Sequence, residues 1–97
     1  MKLRDFLVEK FDSVENYVTD AEMLRQAIVE ELDAINIYKA MAEKATNSNV
    51  KRVLEHVIEE EKHHIGEFQS LLEKLDPDHT EGLEGGEKEV RDLGINV

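Results

Sequence analysis

The sequence predicts an all-α protein: an antiparallel two-helix hairpin with short terminal helical segments, which pairs with a second copy to make a four-helix bundle. Three observations carry this. The single proline and all five glycines of the 97 residues fall from position 66 onward, so no strong breaker interrupts the first two thirds. Apolar residues recur at three- and four-residue spacing along two long stretches. Between them TNSN, Thr46 to Asn49, sets turn- and cap-forming residues in a row.

In chain order, residues 1–18 carry Leu3, Phe6, Leu7, Phe11, Val14 and Val18 at helical spacing and read as a short amphipathic segment. Thr19-Asp20-Ala21-Glu22 matches a capping box and starts the first long helix, which continues through Leu24, Ala27, Ile28, Ala34, Ile35, Tyr38, Met41, Ala42 and Ala45. The second runs from Val50 through Val53, Leu54, Val57, Ile58, Ile65, Phe68, Leu71, Leu72 and Leu75. Asp76-Pro77 ends it, because proline disfavours helix at the residue before it. Residues 19–76 thus form the hairpin. Residues 77–97, with Gly82, Gly85 and Gly86 among acids and the tail LGINV, read as a flexible linker and short extension. Gly66 inside the second helix raises the prospect of a close backbone approach there.

Composition narrows the chemistry. There is no cysteine, which excludes disulfides, thiolate zinc, iron–sulfur clusters and a cysteine nucleophile. A formal charge of -11 argues against nucleic acid and against an anionic membrane as partners, and favours a cation. No apolar run is long enough to span a bilayer, and the start MKLRDFLVEKFD lacks a signal peptide's apolar stretch, so the expected location is the cytoplasm.

The segment EEEKHHIGEF, Glu59 to Phe68, contains the Glu-x-x-His spacing twice, as Glu60/His63 and Glu61/His64. Helical phase separates them. At about 100 degrees per residue, Glu61 and His64 fall within roughly 40 degrees of the centre of the apolar stripe, Glu60 about 80 and His63 about 140 degrees away. The same count places Glu31 and Tyr38 near the middle of the first helix's stripe, with Glu30 and Asp33 flanking and outward. Measured from the turn, Glu31, Glu61 and His64 converge at one level, and Tyr38 sits about two turns nearer the loop. His56, His63, His79, Glu59, Glu60 and Glu67 read as solvated surface.

Carboxylate-bridged di-iron sites in helix bundles take a Glu from each of two helices and a Glu-x-x-His from each of two others. One chain here holds half of that set, so a homodimer is expected to complete the site, each copy giving Glu31, Glu61 and His64. Carboxylates bridge and neutralise cations, imidazole suits Fe(II), and ligation without thiolate favours iron or manganese over structural zinc. The bland alternative is a buried polar network in a plain bundle.

AIVEELDAINIYKAMAEKA, followed by VLEHVIEEEKHHIGEF, resembles the encapsulated ferritins, ferritin-like proteins carried inside encapsulin nanocompartments, over about residues 20–75. The resemblance rests on Glu31, Tyr38, Glu61 and His64 with their spacings. It implies a ferritin-like four-helix bundle formed by two chains, an annular decamer of five dimers, and an encapsulin shell protein as partner. The activity implied is a ferroxidase that oxidises Fe(II) with oxygen and feeds iron mineralisation inside the shell. It further implies Glu31, Glu61 and His64 as iron ligands and Tyr38 as the nearby tyrosine, either packing or redox-active. Glu30 and Asp33 become outer positions that attract incoming metal, although Asp33 is shorter than the family's glutamate and Ile37 replaces an aromatic residue. The C-terminal tail fits a targeting peptide or a truncated fusion to the shell protein. The competing functions are a rubrerythrin-like peroxide reductase and a non-catalytic metal-binding scaffold.

Overall fold

A computed structural model describes residues 19–97, and the amphipathic segment expected over 1–18 lies outside them. The described residues are all-helical: α1 (Asp20–Lys44), α2 (Ser48–Leu75) and α3 (Pro77–Asp92). Helices α1 and α2 form the antiparallel hairpin that the periodicity predicted. None of the described helices is long and apolar enough to cross a membrane.

Each boundary has a local cause. Thr19 stays extended and its hydroxyl accepts from the Glu22 N–H at 3.1 Å, capping α1. Asn47 does the same for α2, accepting from Asn49 and Val50 at 2.8 and 3.1 Å, so this helix begins at Ser48, two residues ahead of its first apolar position. The break is therefore shorter than TNSN suggests and is centred nearer Thr46. That shift brings Glu31 and Glu61 to about equal distances from the turn.

The flexible linker expected from residue 77 is corrected: Pro77–Asp92 is helix. Proline ends α2, but it also occupies the first turn of α3, where its missing N–H costs nothing and its fixed φ suits the helix. Asp76 serves both neighbours, capping α3 at His79 and accepting from Arg25 at 3.0 Å, which ties the start of α1 to the junction. Glu87–Arg91 and Lys88–Asp92 ion pairs span single turns at 2.7 and 2.8 Å. The helix stops at Gly94, whose φ of 83° is open to glycine at little cost. Gly94 donates to Arg91 and Ile95 to Val90, the paired bonds of a Schellman stop. Gly82, Gly85 and Gly86 misled the reading, since each costs α3 about 1 kcal/mol against alanine without forbidding helix.

Burial is sparse. Among the described residues the buried apolar side chains are Ala34, Ile35, Ala42, Ile58 and Leu72, and of these only Leu72 is completely enclosed. Val29, Leu32, Met41, Val53, Leu71 and Leu75 are exposed, leaving apolar surface on the hairpin. No close approach explains Gly66: a Cβ added there would meet nothing within 4 Å.

Two stability outcomes follow. Leu72→Ala should lower unfolding free energy by about 2–5 kcal/mol in a denaturant titration, because it empties the one fully enclosed site. Gly66→Ala should raise it by about 1 kcal/mol in the same assay, since the methyl has open space and the helix loses its most flexible residue.

Candidate metal centre

Glu31 projects from α1, and Glu61 and His64 from α2. One ligand atom from each lies within 4.8 Å of the others, the only such group of three among the described residues. The backbone on either side is held by buried packing: Ala34 and Ile35 follow Glu31 by one turn, and Ile58 precedes Glu61 by one turn. Two small core residues, Ala34 and Ala42, let α2 approach α1 closely enough for opposed glutamates to share a space.

The geometry is that of an unfinished coordination shell. His64 Nδ1 stands 3.5 Å from Glu31 Oε2 and 3.6 Å from Glu61 Oε2. Both separations are too long for hydrogen bonds. They approximate the spacing of neighbouring ligands around one cation, since metal–ligand bonds of about 2.1 Å leave adjacent donor atoms about 3–3.5 Å apart. Glu31 Oε2 is shielded from solvent and has no hydrogen-bond partner. The glutamate side chains are 19 and 17% exposed, and that of His64 is 43% exposed. Two carboxylates facing each other at this depth repel unless something positive lies between them. The donor set, two carboxylates and an imidazole, fits iron or manganese.

Of the remaining site candidates, Tyr38 is half-buried on α1, about two turns from Glu31 toward the loop. Asp33 is half-buried and outside the group. Glu30 corrects the phase count: expected outward, it is 7% exposed, and its Oε2 is enclosed without a partner. Gln26, which the sequence reading did not single out, donates from one turn earlier to Glu30 Oε1. The amide and carboxylate at i and i+4 were the available signal. Glu60 turns away as predicted and pairs with His56 at 2.6 Å in solvent, and His63 is exposed.

If a cation completes the group, Glu31→Gln should have opposite effects with and without it. In metal-free protein the substitution removes a buried charge and should leave the melting temperature unchanged or raised. With metal at about 100 times Kd, wild type should gain about 2.7 kcal/mol and the variant far less, read by thermal melts with Mn(II) or anaerobic Fe(II).

The Rubrerythrin family description matches residues 22–93. Over 72 residues, 74% of this chain, it is 50% identical to the ferritin-like–encapsulin shell fusion protein of Pyrococcus furiosus. It is 40% identical over 66 residues to the encapsulin nanocompartment cargo protein EncC of Myxococcus xanthus. The aligned stretches cover 21% of the fusion protein and 51% of EncC, so the chain spans at most about half of these curated relatives. The crystal structure of the encapsulated ferritin domain from Pyrococcus furiosus superposes with a TM-score of 0.76 at 49% identity, covering 79% of this chain and 80% of that one. The chain therefore belongs to the rubrerythrin family and, within it, to the encapsulated ferritin-like proteins.

Proposed function

We propose that the chain is a ferroxidase, oxidising Fe(II) to Fe(III) with oxygen as acceptor at a carboxylate-bridged di-iron site shared between two copies. The observation that carries this is the convergence of Glu31, Glu61 and His64, with Glu31 Oε2 buried and without a hydrogen-bond partner. One chain offers two carboxylates and one imidazole, too few to saturate two metal ions. A two-fold axis through the site doubles the set to four carboxylates and two imidazoles, the complement that bundle di-iron proteins use.

The chain's own groups then have separable tasks. Glu31 and Glu61 bind and neutralise incoming iron with little rearrangement, because their helices already hold them at one level. Iron supplies the redox couple, each Fe(II) giving up one electron toward oxygen. His64 binds through Nδ1, the atom facing both carboxylates, so any proton on that nitrogen leaves as iron arrives. Asp33, half-buried two residues from Glu31, draws Fe(II) toward the site, a role the enclosed Glu30 does not share, and the chain's charge of -11 raises cation concentration around it. Tyr38 packs beside the site or takes part in electron transfer.

In this reading the exposed apolar face of the hairpin is the surface that a second copy covers, and five such pairs close into an annular decamer. The relatives' names support an encapsulin shell as the surrounding compartment, within which ferric product mineralises. The family match also favours a second reading, reduction of peroxide at the same centre.

Mixing protein with Fe(II) in air tests both. A ferroxidase should produce ferric absorbance well above the buffer rate, with two irons for every two chains by native mass spectrometry. Glu61→Ala with His64→Ala should return the rate to buffer, and an unchanged rate sinks the assignment. Faster turnover with peroxide than with oxygen, under an added electron donor, moves the conclusion to the peroxide reductase. Binding without turnover leaves a scaffold.

A further inference from the structure

Helix α1 is covered on one flank and bare on the other, and none of the described helices accounts for the difference. At about 100 degrees per residue, Gln26, Glu30, Asp33 and Ile37 turn to one side of its buried stripe, while Arg25, Val29, Leu32 and Asn36 turn to the other. Helix α2 packs on the stripe between them, so both flanks should be about equally open. They are not. The first flank is half-buried or buried throughout, with Glu30 at 7% exposure, and the second is exposed throughout. Helix α3 is not the cover. It meets α2 around its first turn, where Gln69 and His79 lie 3.1 Å apart and the Thr80 hydroxyl donates to the Glu73 carbonyl at 3.2 Å, and every residue from 81 to 89 is exposed. The covered flank also has a charge left over. Glu30 Oε1 accepts from Gln26, but Oε2 is enclosed with no hydrogen-bond partner among the described residues, a costly state unless a donor reaches it.

Residues 1–18 have the length, the apolarity and the charge that this flank lacks. They join α1 at its cap, Thr19. Glu30 lies about 16.5 Å along the helix axis from Thr19, and even at helical rise a segment of this length covers about 27 Å. Leu3, Phe6, Leu7, Phe11, Val14 and Val18 recur at helical spacing, and Lys2, Arg4 and Lys10 are interspersed among them. A chain reversal at Val18 sets Phe11 level with Gln26 and Lys10 within about one turn of Glu30.

We propose that residues 1–18 dock along the Gln26/Glu30/Ile37 flank of α1 in their own chain, with the apolar stripe inward and Lys10 at Glu30 Oε2. Docking there meets both needs, area and charge. The other open seat meets one: Met23, Leu24, Ala27, Phe68, Leu71 and Leu75 line an apolar groove of about 390 Å³ at the open end of the hairpin, where the one carboxylate, Asp20, is exposed and needs no partner. A neutralised Glu30 has little attraction for Fe(II), which leaves that task to Asp33. Nothing in this seat depends on iron, so it stands or falls separately from the ferroxidase reading.

The chain has no cysteine, so introduced pairs report unambiguously. The full-length chain carrying Phe11→Cys with Gln26→Cys should close an intrachain disulfide under mild oxidation, seen as protein of monomer mass without free thiol. Phe11→Cys with Val29→Cys, on the bare flank, should give a small fraction of that yield. A charge cycle reads the same seat independently. Lys10→Ala should lower the melting temperature of the wild-type chain and leave that of the Glu30→Gln chain unchanged, because only a carboxylate there needs the ammonium. The proposal is overturned if the two cysteine pairs close equally, or if Phe11→Cys bonds instead to Leu71→Cys in the open groove. Crosslinking between separate Phe11→Cys and Gln26→Cys chains at the yield of the double variant also overturns it, by making a second copy the occupant. So does a Lys10→Ala effect of the same size in both backgrounds.

Discussion

The structure turns on one electrostatic constraint: two glutamates from opposed helices converge in a mostly buried space, and Glu31 Oε2 has no hydrogen-bond partner. Folding places them there because each lies on the apolar stripe of its own helix, flanked by Ala34, Ile35 and Ile58, which are buried. Burying the stripes buries the carboxylates. An unpaired buried carboxylate costs several kcal/mol, so a fold that keeps two at one level is stabilised by whatever cation removes that penalty.

The second constraint is area. A hairpin has only one internal seam, and among the described residues that seam encloses few side chains, with Leu72 alone completely covered. Short chains reach adequate burial by adding disulfides, metals or partners. Without cysteine, the first route is closed. The exposed Val29, Leu32, Met41 and Val53 and the incomplete ligand set ask for the same remedy, a second hairpin, which would supply the missing apolar layer and the missing donors together. Metal affinity and association would then be linked, each raising the other by mass action.

Much of this was legible in the sequence because helical phase is a local property. The Thr19 cap, a break within Thr46–Asn49 and the inward phase of Glu31, Glu61 and His64 all follow from residue order and a rotation of about 100 degrees per residue. Where the reading failed, the deciding interaction lay outside the helix being counted. Glu30 sits off the apolar stripe by phase, yet it is enclosed, because burial depends on what covers a face as well as on where the residue points. In α3 the glycines outweighed the start and stop signals: Asp76 with Pro77, and Gly94 with Ile95, define a helix from both ends, and the intervening ion pairs help it persist.

The two unsatisfied regions also differ in chemistry, which bears on how an assembly would grow. At the centre of the hairpin the deficit is positive charge and ligand number, so association there should respond to chelators. At the open end the deficit is apolar area, so association there should respond to temperature and cosolvents that act on hydrophobic burial. A single two-fold contact that satisfied both would stop at two chains. The metal group lies near mid-hairpin and the apolar groove begins beyond it at Phe68, so the two deficits lie apart on the hairpin. Repetition of two distinct contacts closes a ring when the rotation between successive pairs divides the circle.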